Sequence, residues 1–186
     1  MRDLAIQLCL ALHEAHCHSV IHRDLKPENI MLQPDPTRPS GHAVRLCDFG
    51  VAQLGPEWSK EKLTQNGALL GTVLYMSPEQ AHGDALSANS DVYSVGCLVY
   101  EMLTGTPPFF FGSMVDILQA HASEPLPPLE CAGMDPEFCE LWYRALAAAT
   151  AKEPSERPST TLDFAEVLSR LPVESVKAAE RAPVRL

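Results

Sequence analysis

No apolar run in this sequence is long enough to cross a bilayer. The longest, VYSVGCLVYEMLTG from Val92, covers about fourteen residues and carries Glu101, whereas a helical span takes about twenty. It reads as a core helix, and no membrane segment is expected. A secretory leader is not expected either, because in MRDLAIQLCLALHEAHC the residues Arg2, Asp3, His13 and Glu14 leave too little uninterrupted apolar stretch. The six cysteines, at 9, 17, 47, 97, 131 and 139, include no CxxC pair, and four fall in runs that read as apolar helix or strand. Buried, reduced thiols in a cytoplasmic protein are therefore expected rather than a disulfide framework. Positive charge is scarce: 14 Lys and Arg stand against 24 Asp and Glu, for a net charge of −10, and the cations are scattered. That excludes a general nucleic-acid binder, whose surface must be basic, and leaves room for a cationic substrate or bound magnesium.

What is present suits one domain with a buried core: 186 residues, 46% hydrophobic and 20% charged, with no internal repeat. From Asp3 to about Ser19, Leu4, Leu8, Ala11, Leu12 and Ala15 recur at helical spacing, which predicts an amphipathic helix. Ile30 to Leu32 and Ala43 to Leu46 read as two short strands, and the proline-rich QPDPTRPSGH between them as a flexible loop that cannot pair regularly. Residues 51 to 70 are polar and irregular, and Pro78 suits the first position of a short helix. Asp91 stands at the head of a helix that is apolar almost all round, through Tyr93, Val95, Leu98, Val99, Met102 and Leu103, as a buried central helix is. Gly105, Pro107 and Pro108 stop it. A helix is predicted over Ser113 to Ala122, then the extended EPLPPLECAG, then a helix from Pro136 behind an Asp135 cap to about Thr150. Thr160 and Asp163 form a capping box for a last helix to about Leu171, so residues 1–171 are expected to form the folded unit and 172–186 a disordered tail.

The stretch VIHRDLKPENIML, from Val20, holds an aspartate, a lysine and an asparagine at spacings that suit handling a phosphate. A phosphoryl group in transit spreads negative charge over its oxygens, so a site that moves one needs cations and a held nucleophile. Asp24 is a candidate proton acceptor for an attacking hydroxyl, and Lys26 puts an ammonium beside the moving phosphate. Asn29 and Asp48 offer the hard oxygen ligands that magnesium prefers. Taken singly, loop aspartates and asparagines are turn formers. Their occurrence within HRDLKPEN, CDFG, GTVLYMSPEQ and SDVYSVG, in that order, is what carries the reading. His13, His16, His18 and His22, with Cys17 among them, form a distracting cluster: offsets of three, two and four point around a helix and its exit rather than at one zinc ion.

Those four motifs together resemble the protein kinase family, most closely bacterial serine/threonine kinases, from the first helix to about Leu171. His22, Arg23, Asp24, Leu25 and Asn29 match its catalytic-loop motif, and Asp48, Phe49 and Gly50 its metal-binding motif. The resemblance implies a mainly α fold, the large helical lobe with a short β-hairpin. It implies Asp24 as catalytic base, Lys26 as the contact to the terminal phosphate of ATP, and Asn29 and Asp48 as holders of Mg2+. Met31, with Ile30 and Leu32, would floor the adenine, and Cys47 would either face the nucleotide or fill space as a small apolar side chain. Lys26 with Thr72 is the serine/threonine pattern, and Thr72 would line the pocket beside the acceptor residue. Residues Asp48 to Glu79 resemble an activation segment, with Arg23 placed to bind a phosphate on it; Thr64 is the first candidate phosphosite and Ser59 the second, and either can equally be a solvated loop residue. Glu79 is similar to a glutamate that pairs inside the lobe with an arginine, here Arg157, although an isolated pair could also be a surface contact. Asp91 resembles an aspartate that caps the central helix and braces the catalytic loop, with plain N-capping as the simpler role. His22 would pack with Phe49.

The resemblance stops short of the family's small lobe. A glycine-rich loop over the phosphates, a strand lysine, its helix glutamate and an adenine-gripping hinge are not among these 186 residues. The implied enzyme moves the γ-phosphate of ATP to a serine or threonine hydroxyl of a protein substrate. This chain alone is expected to be inactive, as the product of a truncated gene, a misplaced start or a split enzyme whose N-lobe lies elsewhere. The other reading is a non-catalytic kinase-like scaffold module, against which the intact Asp24, Lys26, Asn29 and Asp48 weigh. The loop between Leu32 and Ala43 is longer than usual for the family, SPE replaces APE, and a face that the small lobe would cover is expected to promote association.

Overall fold

The structure, a computed structural model, describes residues 1–49, 71–129 and 135–173. In chain order it contains α1 (Arg2–Cys17), β1 (Ile30–Pro34), β2 (His42–Leu46), α2 (Pro78–His82), α3 (Ala88–Thr104), α4 (Met114–Ser123), α5 (Pro136–Ala149) and α6 (Thr161–Arg170), with single 3-10 turns at Pro27–Asn29 and Pro154–Glu156. The fold is mainly α, with one two-stranded antiparallel sheet that pairs Ile30 with Leu46 and Pro34 with His42. The hairpin is longer than its apolar runs. Gln33 and Pro34, assigned above to a loop unable to pair, continue β1, since a proline without an N–H is tolerated at the end of an edge strand.

Helix α3 sits at the centre, with α1, α5 and α6 packed around it. Twelve of its 17 residues are buried, which is why it is apolar on nearly every side. Glu101, the charge in that run, accepts the Tyr75 hydroxyl at 2.6 Å. The helix begins at Ala88 behind a Ser87 capping box and ends at Gly105, whose φ of 82° suits a residue without a Cβ. At Gly96 the end of α5 comes so close that an added Cβ would lie 2.7 Å from Thr150 Cγ2 and 3.2 Å from Ala149 Cβ.

The flanking helices start where the cap signals stand: Asp135 accepts from the Glu137 amide at 2.8 Å, and Thr160 and Asp163 form the reciprocal box of α6. Trp142, Leu146, Phe164 and Leu168 are fully buried where α5 and α6 meet the core. Of the cysteines, Cys9 and Cys97 are buried and all five described are unpaired; burial pushes the Cys97 thiol up to about 12. Among the described residues no helix is long and apolar enough to cross a membrane. The expected tail lies, apart from Pro172 and Val173, outside the described residues.

Candidate active site

The loop between α1 and β1 is held by one buried carboxylate. Asp91 accepts the backbone amides of His22 at 2.9 Å and Arg23 at 3.0 Å, one on each oxygen, and His16 donates its Nε2–H to Asp91 Oδ2 at 2.7 Å. Asp91 does not cap its helix. It lies one turn inside α3, and the cap is Ser87. From the other side Gln80 donates to the Arg23 carbonyl at 2.6 Å. With both neighbours of its peptide groups fixed, Arg23 is held at φ 69°, a left-handed conformation that a non-glycine residue adopts only under such constraint.

Asp24 follows directly. Its Oδ2 accepts from Lys26 Nζ at 2.8 Å and from Asn29 Nδ2 at 3.3 Å, and Asn29 Nδ2 also donates to the Asp24 carbonyl at 2.8 Å. Lys26 Nζ further donates to Thr72 Oγ1 at 3.1 Å, across 46 positions of sequence. Asp24, Lys26, Asn29 and Thr72 therefore form one cluster. Asp24 Oδ1 is buried and has no hydrogen-bond partner among the described residues. The Asn29 amide nitrogen is thus spent on the acceptors of Asp24, which leaves its oxygen as the group that could meet a cation.

Asp48 is exposed, at φ 57°, between two anchored neighbours. The Cys47 amide donates to the Asn29 carbonyl at 3.0 Å and the Cys47 carbonyl accepts from His22 Nε2 at 3.0 Å, while the Phe49 ring lies 4.7 Å from that of His22. The backbone on either side of Asp48 is thus pinned to the Asp24 loop. An exposed carboxylate and an amide oxygen are donors suited to magnesium, which keeps most of its water and needs few protein ligands. The donor set fits that ion better than zinc. His13, His16, His18 and His22 are turned to different partners, and no group of three or more His, Cys, Asp or Glu among the described residues could hold a metal.

Met31 is 59% exposed, with the Cys47 thiol 3.3 Å from its sulfur. Ile30 and Leu32 do not share its face, as the floor imagined above required. Strand alternation turns them toward α1 and α3, where with Leu4, Leu8 and Met102 they line an apolar cleft. Glu79 and Arg157 meet bidentately at 2.8 and 2.9 Å, and both side chains are buried. Burial raises the Glu79 carboxyl's pKa, but hydrogen bonds from Arg157, Ser90 and the backbone more than offset it and hold it below the ordinary value. Thr64, Ser59 and Gly50 lie outside the described residues. The buried Arg23 Nε has no partner among those that are described.

Three contributors were given no role at this site from the sequence: His16, named only within the histidine cluster, Gln80 and His121, the last discussed below. Gln80 carried a signal, since Ser77 and Gln80 form the S-x-x-Q box that caps α2, and Ser77, the serine of SPE, is its cap.

Residues 1–168 match the family described as protein kinase domain. The chain belongs to the protein kinase domain family. It is 39% identical over 171 residues to "Serine/threonine-protein kinase PknB" of Mycolicibacterium smegmatis, covering 91% of this chain and 26% of that protein. The PknB protein of Mycobacterium tuberculosis is 40% identical over the same length, and the probable serine/threonine-protein kinase PknB of Corynebacterium glutamicum 38% over 184 residues, 98% of this chain and 27% of that one. The chain thus spans about a quarter of the length of these kinases. It is the motifs of that domain family that form the cluster around Asp24.

Proposed function

We propose that the chain is the large lobe of a kinase that transfers the γ-phosphate of ATP to a serine or threonine hydroxyl of a protein substrate. The observation that carries this is the division of labour on one carboxylate: Asp24 Oδ2 is engaged by Lys26 and Asn29, and Oδ1 is left as the buried acceptor. Oδ1 would take the proton of the attacking hydroxyl while Oδ2 stays fixed, so the base needs no reorganisation at the moment of reaction. Lys26, bridging Asp24 and Thr72, would place its ammonium where the terminal phosphate gains charge, and Thr72 would border the acceptor residue. Asn29 and Asp48 would hold magnesium, whose charge offsets that of the phosphate oxygens when bound. Met31 would floor the adenine. Arg23, whose buried Nε has no partner among the described residues, would receive a phosphate on the segment that carries Thr64.

Residues 1–171 would act as this lobe in the cytoplasm, where ATP is found and where unpaired cysteines such as Cys9 and Cys97 stay reduced. Positioning supplies much of the rate in phosphoryl transfer, so the 186 residues alone would transfer poorly or not at all without the glycine-rich loop and strand lysine of a small lobe. The test is a chimaera in which the small lobe of a PknB kinase precedes Arg2, assayed with ATP, magnesium and a serine/threonine peptide. Transfer is expected, and Asp24→Asn should reduce it by about 10²–10⁴-fold. A folded chimaera whose transfer is indifferent to Asp24→Asn contradicts the proposal, and one with no transfer returns the chain to the scaffold-module reading.

A further inference from the structure

Because Thr72 takes the second hydrogen bond of Lys26, the geometry of the Asp24 and Lys26 pair depends on where residues 71–76 lie. Groups far from the motifs grip that segment. Val73 is fully buried among Met76, Phe109, Ile117 and Ala120, and Ser94 Oγ donates to the Tyr75 carbonyl at 2.7 Å. The third grip is His121 on α4, whose ring is fully buried with Nε2 3.1 Å from the Leu74 carbonyl. A carbonyl can only accept, so Nε2 carries the hydrogen. Nδ1 is then the acceptor, and it takes the Tyr93 hydroxyl at 2.9 Å.

This tautomer needs a neutral ring, and burial, helped by the nearby Lys152 ammonium, pushes the imidazole's pKa down to about 3. Lys152 also fixes the backbone behind the ring: its Nζ donates to the His121 carbonyl at 2.9 Å, at the C-terminal end of α4 where a cation is favoured, and lies 5.0 Å from the Phe109 ring centre. Phe109 packs edge-on against His121 at 4.9 Å between centroids. Every side of the imidazole thus has a partner, and its one outward donor is aimed two residues from Thr72.

We propose that His121 is a positioning residue for the phosphoryl-transfer site: its hydrogen bond to the Leu74 carbonyl sets the place of Thr72 and, through Thr72, of the Lys26 ammonium. This rests on the reading of Asp24 and Lys26 given above, but its test does not require phosphate transfer. In the 186-residue chain, 13C NMR follows the Thr72 γ-methyl and the Lys26 ε-methylene in wild type, His121→Gln, His121→Phe and His121→Asn. Glutamine retains a donor at the Nε2 position, phenylalanine keeps the ring packing without a donor, and asparagine keeps only an acceptor for Tyr93. His121→Gln should hold both wild-type signals, whereas His121→Phe and His121→Asn should shift both while the methyls of Leu146 and Leu168 in the remote core stay in place. Unmoved Thr72 and Lys26 signals in a folded His121→Phe or His121→Asn overturn the proposal, as does a shift in His121→Gln equal to that in His121→Phe. Should the variants fail to fold, the 15N spectrum of wild-type His121 still decides, because a hydrogen on Nδ1 instead of Nε2 is incompatible with the bond to Leu74. Loss of transfer in the chimaera assay with these signals as expected would count against the kinase reading and not against this one.

Discussion

Asp91 illustrates what a motif reveals at the scale of one residue and what it conceals. The resemblance of SDVYSVG supplied a brace for the catalytic loop, and the carboxylate does accept the His22 and Arg23 amides. Its third partner, His16, sits 75 positions away, and no local pattern announces it. The same holds for Gln80 on the Arg23 carbonyl, 57 positions apart, and His121 on the Leu74 carbonyl, 47 apart. These contacts depend on how helices pack, so they become visible only in three dimensions. The Glu79 and Arg157 pair yields a prediction at this scale. Arg157→Ala leaves a buried carboxylate without its cation and should cost about 3–5 kcal/mol, read as the loss in denaturant-unfolding free energy. Glu79's folded-state pKa lies below the ordinary 4.5, so its share of stability is complete above about pH 4.5 and is lost as pH falls through the folded-state value. The pH dependence of wild-type stability below that point should therefore be steeper than that of Glu79→Gln.

At the scale of elements, helix existence was legible and boundaries less so. Hydrophobic patterning and the caps at Asp135 and Thr160 located α1 and α3 to α6, because each helix needs an apolar face and a partner for its first amides; the Ser113 box that starts α4 was not read from the sequence. The start of α3 was misread by one turn, since an acidic residue near a helix head favours the dipole whether or not it caps, and the actual box pairs Ser87 with Ser90 rather than with a glutamate. The hairpin reached Pro34 because backbone pairing does not need apolar side chains. Period-two alternation, applied to Ile30, Met31 and Leu32, would have separated their faces from the sequence alone. Gly96 gives the test of packing at this scale. A methyl there has no room against Thr150 and Ala149, so Gly96→Ala should destabilise by about 1–3 kcal/mol despite alanine's better helix propensity, and a thermal melt showing equal or higher stability would refute the close approach.

At the scale of the whole molecule, the site is assembled from pieces that are distant in sequence: the loop after α1, the turn after β2, Thr72, the start of α2 and the interior of α3. Motif order could propose that these meet, since four fixed strings in one chain imply one fold, but the distances among Asp24, Lys26, Asn29 and Thr72 needed the packed helices. Asp48 is brought alongside by its neighbours Cys47 and Phe49 rather than by its own side chain. The most direct measurement is therefore paramagnetic broadening by Mn2+ with ATP in the 15N-labelled chain, Mn2+ standing in for magnesium. Amide signals of Asn29, Asp48 and the Asp24 loop are expected to broaden first, and Asn29→Ala to weaken the effect. Broadening centred instead on acidic surface residues such as Asp116 and Glu124, with Asn29 and Asp48 left sharp, would contradict that expectation.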